Sequence, residues 1–362
     1  MRFLRTGVLA VLFVAAGSLT VHPQAPATFA SRVAQLSERE GIFDADDNLI
    51  TNERSYLHVM PALHDSGATG GAYIGVGPDQ NFSYIAQVHP TIAFIIDIRR
   101  DNLLLHLLFK ALFSLSTTRA DYLSLLFGRP APEALDGWRQ ADVTKLADYI
   151  QGARPTAPAT ARLRTRVDAA IRTFGVPLSA ADFATIDRFH RAFITGGLTM
   201  KFETARGAPV GYYPTYRDLL FETDRQGGRK NFLASETDFQ FVRSLEQRDL
   251  VIPIVGDLAG PKALNAIARL LTTRRERVSV FYASNVEFYL ANDGKLQDFL
   301  NNLSRLPHTN HSVLIRSVFG GIVLPQSVSG YSSTSLVQPI DQLLDGFSSG
   351  RYKSYNDLLL SR

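Results

Sequence analysis

The sequence predicts an α/β fold built on a largely parallel sheet. Short apolar runs without polar alternation, such as residues 91–98, are typical of strands buried on both faces of a parallel sheet. Helical patterns separate these runs, and alternating strands and helices favour parallel pairing. The chain has 362 residues, a length that suits one large domain or two ordinary ones.

Composition excludes several classes of protein. With 45% apolar and 20% charged residues, the chain is neither a disordered protein nor a coiled coil. The absence of Cys excludes disulfides, cysteine zinc sites, iron–sulfur clusters and a thiol nucleophile. A net charge of +4 with scattered basic residues gives no case for specific nucleic-acid binding. No pair of His residues has metal-ligand spacing, so we expect no metal site.

Residues 1–25 predict a signal peptide for export. Arg2 and Arg5 precede an apolar run from Gly7 to about Val21, and Ala25 follows. The run is about 15 residues long, shorter than the ~20 of a spanning helix. We expect cleavage near Ala25 and a periplasmic or extracellular protein without a membrane span. An uncleaved anchor is the alternative.

The rest of the chain divides into four predicted parts. Residues 26–69 form an N-terminal helical segment, whose acidic stretch 43–48 is interpreted as a capped loop because it lacks EF-hand spacing. The other parts are the first half of a Rossmann-like domain (70–127), a mainly helical insertion broken by prolines (128–211), and the second half with a C-terminal tail (212–362).

Five strands are predicted. The first is followed by a helix over residues 80–88 and then by the second strand, which makes a β-loop-α-β unit. Pro253 inside the third strand indicates an edge position or a bulge. Ser235 has the chemistry to cap a helix that follows it. The predicted strands are 72–77, 91–98, 249–257, 277–283 and 312–319.

Polar residues or glycines follow four of these strands. In an open parallel sheet, ligands bind beyond the carboxyl ends of the strands. Glycines let a ligand approach the backbone, and a carboxylate can accept both hydroxyls of a ribose. The pattern therefore predicts a site for a nucleoside-type small molecule, although a strand-terminal Asp can also simply cap a helix. The candidate binding residues are Gly75, Gly77, Asp79, Asp97, Gly256, Asp257 and Asn285, with Ser284 beside the last.

These residues in this order resemble the class I S-adenosylmethionine-dependent methyltransferase fold. The chain also resembles a family of uncharacterised, mostly bacterial proteins with that fold. The resemblance implies S-adenosylmethionine as cofactor, with Asp97 on the ribose, Asp257 on the adenine side and the Gly75–Gly77 turn on the amino-acid portion. Tyr73 stands where the family pattern has an acid, and Ser284 to Glu287 replace an Asn-Pro-Pro-Tyr signature. The stretches that carry the resemblance are 43–56, 70–102, 211–219, 231–263, 281–290 and the tail 330–340.

Three functions remain open at this point. The first is a methyltransferase of unknown acceptor, with Glu287 or Asp79 as candidate bases and no assigned catalytic residue. The second is a non-catalytic exported protein that retains the fold and binds another ligand or partner. The third is a nicotinamide-dependent oxidoreductase, which is disfavoured because Gln80 stands at the last glycine of Gly-x-Gly-x-x-Gly.

Two further groups have alternative interpretations. The aromatic cluster at residues 212–218 is expected either to cover a ligand pocket or only to pack in the core. Arg99 and Arg100 are suited to hold a carboxylate or phosphate, or to pair with Asp101 and other nearby acids.

Overall fold

The computed structural model describes residues 27–42, 48–202, 213–319, 322–352 and 354–360. The predicted signal peptide, most of the acidic stretch 43–48, and Tyr212 lie outside the described residues.

One six-stranded sheet organises the chain. Its order is β3-β2-β1-β4-β5-β6; β1 to β5 are parallel and β6 runs antiparallel to β5. The predicted α/β class with a mostly parallel sheet is confirmed. The strands are β1 (Ala72–Val76), β2 (Ile92–Asp97), β3 (Val251–Val255), β4 (Val278–Ser284), β5 (Val313–Phe319) and β6 (Ser333–Pro339).

Helices cover the sheet and fill the long connection between β2 and β3. Before β1 come α1 (Phe29–Leu36) and α2 (Met60–Asp65), and α3 (Gln80–Val88) joins β1 to β2. The connection from β2 to β3 holds α4 (Arg100–Leu115), α5 (Arg119–Leu126), α6 (Val143–Gly152), α7 (Ala157–Thr173), α8 (Ala180–Gly196), α9 (Tyr216–Phe221) and α10 (Glu236–Gln247). After β3 come α11 (Ala263–Arg274), α12 (Val286–Asn292), α13 (Leu296–Ser304), α14 (Ile340–Ser348) and α15 (Tyr355–Leu360). Short 3-10 helices occupy Arg54–Val59, Leu135–Trp138 and Gly197–Thr199.

Burial explains why the apolar runs become strands. Every residue of β1 and β3 is buried, as the lack of polar alternation predicted. The strand β3 lies at one edge of the sheet, where Pro253 is tolerated because an edge strand pairs on one side only. The helix α4 is buried along most of its length because it packs between the sheet and the later helices α7, α8 and α10.

Local signals set the ends of several helices. The Ser235 hydroxyl accepts a hydrogen bond from the Asp238 amide at the start of α10, so the predicted cap is confirmed. Ser179 and Asp182 form a reciprocal capping box at the start of α8. No helix in the described part of the chain combines the length and apolar character needed to cross a bilayer.

Candidate functional site

The carboxyl ends of the strands bring the predicted site residues to one edge of the sheet. Val76 of β1 pairs with Ile96, Asp97 of β2 pairs with Val255, and the Gly256 amide donates to the Asp97 carbonyl over 2.8 Å. The strand β1 lies between β2 and β4, so the direction of winding reverses there. Ligands of open α/β sheets bind at such a switch point.

The turn after β1 is shaped by its own side chains. Gly77 has a φ of +82°, a conformation that favours glycine. The side-chain Nδ2 of Asn81 donates to the carbonyls of Val76, Gly77 and Pro78. A Cβ at Gly75 would lie 1.9 Å from Asn81 Oδ1. Gly75 therefore makes room for the Asn81 side chain that closes the turn, which the glycine pattern alone did not indicate.

Asp79 follows this turn and is buried. Its Oδ2 accepts a hydrogen bond from the Tyr216 hydroxyl over 3.0 Å. Burial raises the pKa of Asp79 to about 7, and the Tyr216 hydrogen bond opposes the rise. A carboxyl group with such a pKa can exchange a proton near neutral pH.

A small cavity of about 10 Å³ lies beside Asp79. Its volume corresponds to roughly one water molecule. Tyr216 lines the cavity and also packs edge-on against Phe127 and Phe193, so the aromatic cluster both covers a cavity and packs in the core. The lining residues are Thr51, Tyr56, Asp79, Gln80, Tyr216, Leu219, Leu220 and Asn231.

Several polar atoms around Gly77 are buried and have no hydrogen-bond partner. The Nε2 atom of His106 bonds the Gly77 carbonyl over 2.9 Å, while its Nδ1 has no partner. Burial lowers the pKa of His106 to about 4, so its ring is neutral at pH 7. The amide of Asn102, one turn earlier on α4, and Gln80 Oε1 are also unpartnered. Each such group costs about 1–3 kcal/mol, so a water or the polar part of a ligand would be stabilised here.

Asp97 at the end of β2 is held by a neighbouring guanidinium. Arg99 donates from Nε to Oδ1 over 3.1 Å and from Nη2 to Oδ2 over 3.0 Å. The side chains of Asp97 and Arg99 are 11% and 12% exposed. Arg100 instead pairs with Asp182. Asp97 Oδ1 also accepts from the Arg99 main-chain amide over 2.9 Å, so of the two carboxylate oxygens Oδ2 is the one that retains acceptor capacity.

The loop after β3 binds a carboxylate from the N-terminal segment. Asp257 Oδ1 accepts from the Ala259 amide over 2.9 Å, and Oδ2 lies 3.6 Å from Lys295 Nζ. The Asp257 amide itself donates to Glu38 Oε1 over 2.8 Å. The Asp257 side chain thus stabilises its own loop, and the Glu38 carboxylate accepts the hydrogen bond of the Asp257 main-chain amide.

A buried carboxylate that the sequence analysis did not identify, that of Glu53, lies against the end of β4. Glu53 accepts hydrogen bonds from the hydroxyls of Tyr282, Ser284 and Ser317. Burial raises the pKa of Glu53, and the three hydroxyl donors oppose that rise. Ser284 has a φ of +53°, uncommon for a serine, and Asn285 follows it at the start of α12. Glu53 precedes β1 by many residues, so no local spacing connects it with β4.

Glu287 is not available as a base. Its carboxylate forms a two-point ion pair with Arg316, with Nε–Oε2 at 2.5 Å and Nη2–Oε1 at 3.1 Å. Both side chains are at most 1% exposed. Of the two candidate bases that the sequence offered, Glu287 and Asp79, only Asp79 therefore remains. Among the described residues, no cluster of three or more His, Asp or Glu side chains is positioned to hold a metal ion.

These features define an α/β protein with a small, partly polar cavity beside the switch point of its sheet. The sequence model of one family matches residues 49–359, and that family is described as a domain of unknown function, DUF7790. The match covers most of the chain, so the protein belongs to this family. No curated protein sequence matches the chain.

Proposed function

We propose that the protein is methyltransferase-like and binds S-adenosylmethionine at the carboxyl ends of β1, β2 and β3, for an acceptor that is not identified. The observation that carries the proposal is the placement of Gly77, Asp97 and Gly256 on adjacent strands beside the switch point. Ligand sites of this fold class occupy that position. The pattern of residues 1–25 supports an exported location for this activity.

The residue types at these strand ends are those that an adenosine-type ligand uses. Asp97 Oδ2 accepts one hydrogen bond from Arg99 and keeps a second acceptor position for a ribose hydroxyl. The unpartnered atoms of Gln80 and His106 lie beside the turn at Gly77, where polar groups of a ligand would find partners. The main-chain donor at Asp257 suits the polar edge of an adenine. Asn285 follows β4 at the start of α12, at the same edge of the sheet.

Bound S-adenosylmethionine would supply an electrophilic methyl group. The chain would then contribute mainly position, because holding donor and acceptor in line lowers the barrier of a transfer reaction. Asp79 is suited to receive the proton that an acceptor hydroxyl or amine loses, since burial brings its pKa to about 7. Tyr216 orients the Asp79 carboxylate through its hydrogen bond.

A second candidate is a non-catalytic exported protein that retains the fold. The contacts of Arg99 with Asp97 and of Glu38 with Asp257 favour it, because both occupy positions proposed for the cofactor. In that case the polar residues at the strand ends would be a structural remnant, and another surface would bind the ligand or partner.

Titration calorimetry with S-adenosylmethionine and S-adenosylhomocysteine distinguishes the two functions. The mature protein, from about residue 26, is compared with Asp97→Ala and with Asp101→Ala, which removes a half-exposed acid in the first turn of α4. Micromolar binding that is lost in Asp97→Ala and retained in Asp101→Ala supports the proposal. No heat and no thermal stabilisation of the unsubstituted protein would support the second candidate.

A further inference from the structure

Residues 37–42 form a strap that crosses the carboxyl ends of β3 and β2. The Ser37 hydroxyl accepts from the Val255 amide over 3.2 Å, and the Glu38 amide donates to the Val255 carbonyl over 2.9 Å. The Gly41 amide then donates to the Ile98 carbonyl over 2.9 Å. The strap therefore runs from the outer edge of β3 to the end of β2.

The carboxylate of Glu38 fills a cradle made by two glycines. Glu38 Oε1 accepts from the Asp257 amide over 2.8 Å. A Cβ at Gly260 would lie 2.7 Å from that oxygen, and a Cβ at Gly256 would lie 3.3 Å from it. The loop thus leaves space for a polar acceptor beside the Asp257 amide, and the chain supplies that acceptor itself with Glu38.

The strap lies outside the family domain. The family match begins at residue 49, whereas the cradle belongs to the matched region. An N-terminal addition to the domain therefore occupies the position assigned above to the adenine side of the cofactor. We propose that Glu38 is an internal ligand of this cradle, and that the strap must move away before an adenosine ligand can bind. This inference rests on the proposed function.

The contacts of the strap suit a displaceable element. Glu40 and Ile42 are exposed, and Glu38 is only partly buried. The preceding helix α1 is anchored by the buried side chains of Phe29, Val33 and Leu36. A segment with few buried apolar contacts opens at a lower cost than the core does. The strap can therefore leave the strand ends while α1 remains in place.

A disulfide lock tests the proposal. A Cβ at Gly41 would lie 4.0 Å from Ile98 Cβ, within the range of disulfides, and the chain has no other Cys. The affinity of Gly41→Cys/Ile98→Cys for S-adenosylhomocysteine is measured oxidised and reduced. We expect the oxidised form to bind at least about tenfold more weakly than the reduced form, because a ligand that needs a minor open state loses affinity as that state is removed.

Glu38→Ala tests the internal ligand without a cross-link. We expect this variant to bind S-adenosylhomocysteine about tenfold more tightly, because the competing carboxylate is gone. Glu40→Ala, on the exposed side of the strap, is the matched control and should bind like the unsubstituted protein. Equal affinity of the oxidised and reduced forms, with no gain in Glu38→Ala, would overturn the proposal that the strap must move, and it would leave the proposed function unaffected. No binding by any form, Glu38→Ala included, would overturn both.

Discussion

The Tyr216 hydroxyl donates a hydrogen bond to Asp79 Oδ2 over 3.0 Å and so joins the start of α9 to the turn after β1. The helices between β2 and β3 thereby contribute directly to the switch point. Tyr216 packs against Phe127 of the same helical connection, which fixes the position of its hydroxyl. The protonation of Asp79 is therefore coupled to the packing of this connection.

Asp79→Asn should remove one pH-dependent contribution to stability. The folded-state pKa of Asp79 is about 7, above its ordinary value of 3.8. The folded protein therefore binds more protons than the unfolded chain between about pH 4 and pH 7, and stability from this group falls as pH rises through that window. Between pH 4 and pH 8, the free energy of unfolding of the unsubstituted protein should fall by up to about 4 kcal/mol relative to that of Asp79→Asn. Urea unfolding at a series of pH values measures this change.

Tyr216→Phe provides the opposite test. The Tyr216 hydrogen bond lowers the pKa of Asp79, so its removal should raise that pKa. The pH range over which Asp79 makes stability fall should then extend to higher pH. Unfolding free energies of Asp79→Asn and the unsubstituted protein that stay parallel across pH 4 to 8 would contradict this account of Asp79.

Most of the sheet was predictable because buried parallel strands have a distinctive composition. The predicted strand at residues 91–98 becomes Ile92–Asp97, and the run at 312–319 becomes Val313–Phe319. The strand β6 was not predicted, because Ser333, Thr334 and Ser335 give it the polar composition of a loop. These hydroxyls are nonetheless buried, and those of Ser333 and Ser335 bond the Ser55 hydroxyl. Only the tertiary structure provides those partners.

The candidate site was predictable in position but not in its contacts. A glycine turn and a strand-terminal acid identify the edge of the sheet where a ligand binds. The partners of these residues come from sequence-distant segments, such as Glu38 beside Asp257 and Glu53 beside Ser284. A short spacing pattern cannot contain contacts that the fold creates between distant parts of the chain.

Gly75→Ala should destabilise the fold even without any ligand. The new Cβ would lie 1.9 Å from Asn81 Oδ1, so the side chain that closes the turn must move. We expect a loss of about 1–3 kcal/mol in the free energy of unfolding, measured by chemical denaturation. Gly137→Ala is the control, because a Cβ there meets nothing within 4 Å. Equal stability of the two variants would show that Gly75 is not required by packing.

Ser317→Ala should weaken the buried site of Glu53. The Ser317 hydroxyl is one of three donors that hold the carboxylate, and its loss should raise the pKa of Glu53 further. We expect a cost of about 1–3 kcal/mol, larger at high pH because the ionised form loses its donor. Ser304→Ala, on an exposed position of α13, should change stability by less than about 0.5 kcal/mol. A loss that is the same at every pH would argue against an ionised Glu53.

Arg316→Met should cost about 3–5 kcal/mol, because it leaves the Glu287 carboxylate buried without its partner. Arg316 also donates to Gln338 Oε1 over 2.6 Å, and this contact is lost as well. The double variant Glu287→Leu/Arg316→Met should lose less than the sum of the two single variants, because no charge remains unpaired. Urea unfolding of the four proteins at one pH measures the coupling.

An exposed ion pair gives the matched control for that cycle. Asp136 and Arg139 are paired over 3.1 Å, with Asp136 94% exposed. Asp136→Ala should change stability by less than about 1 kcal/mol, since solvent screens the pair. If Arg316→Met costs no more than Asp136→Ala, the buried Glu287–Arg316 pair does not stabilise the fold more than an exposed pair does.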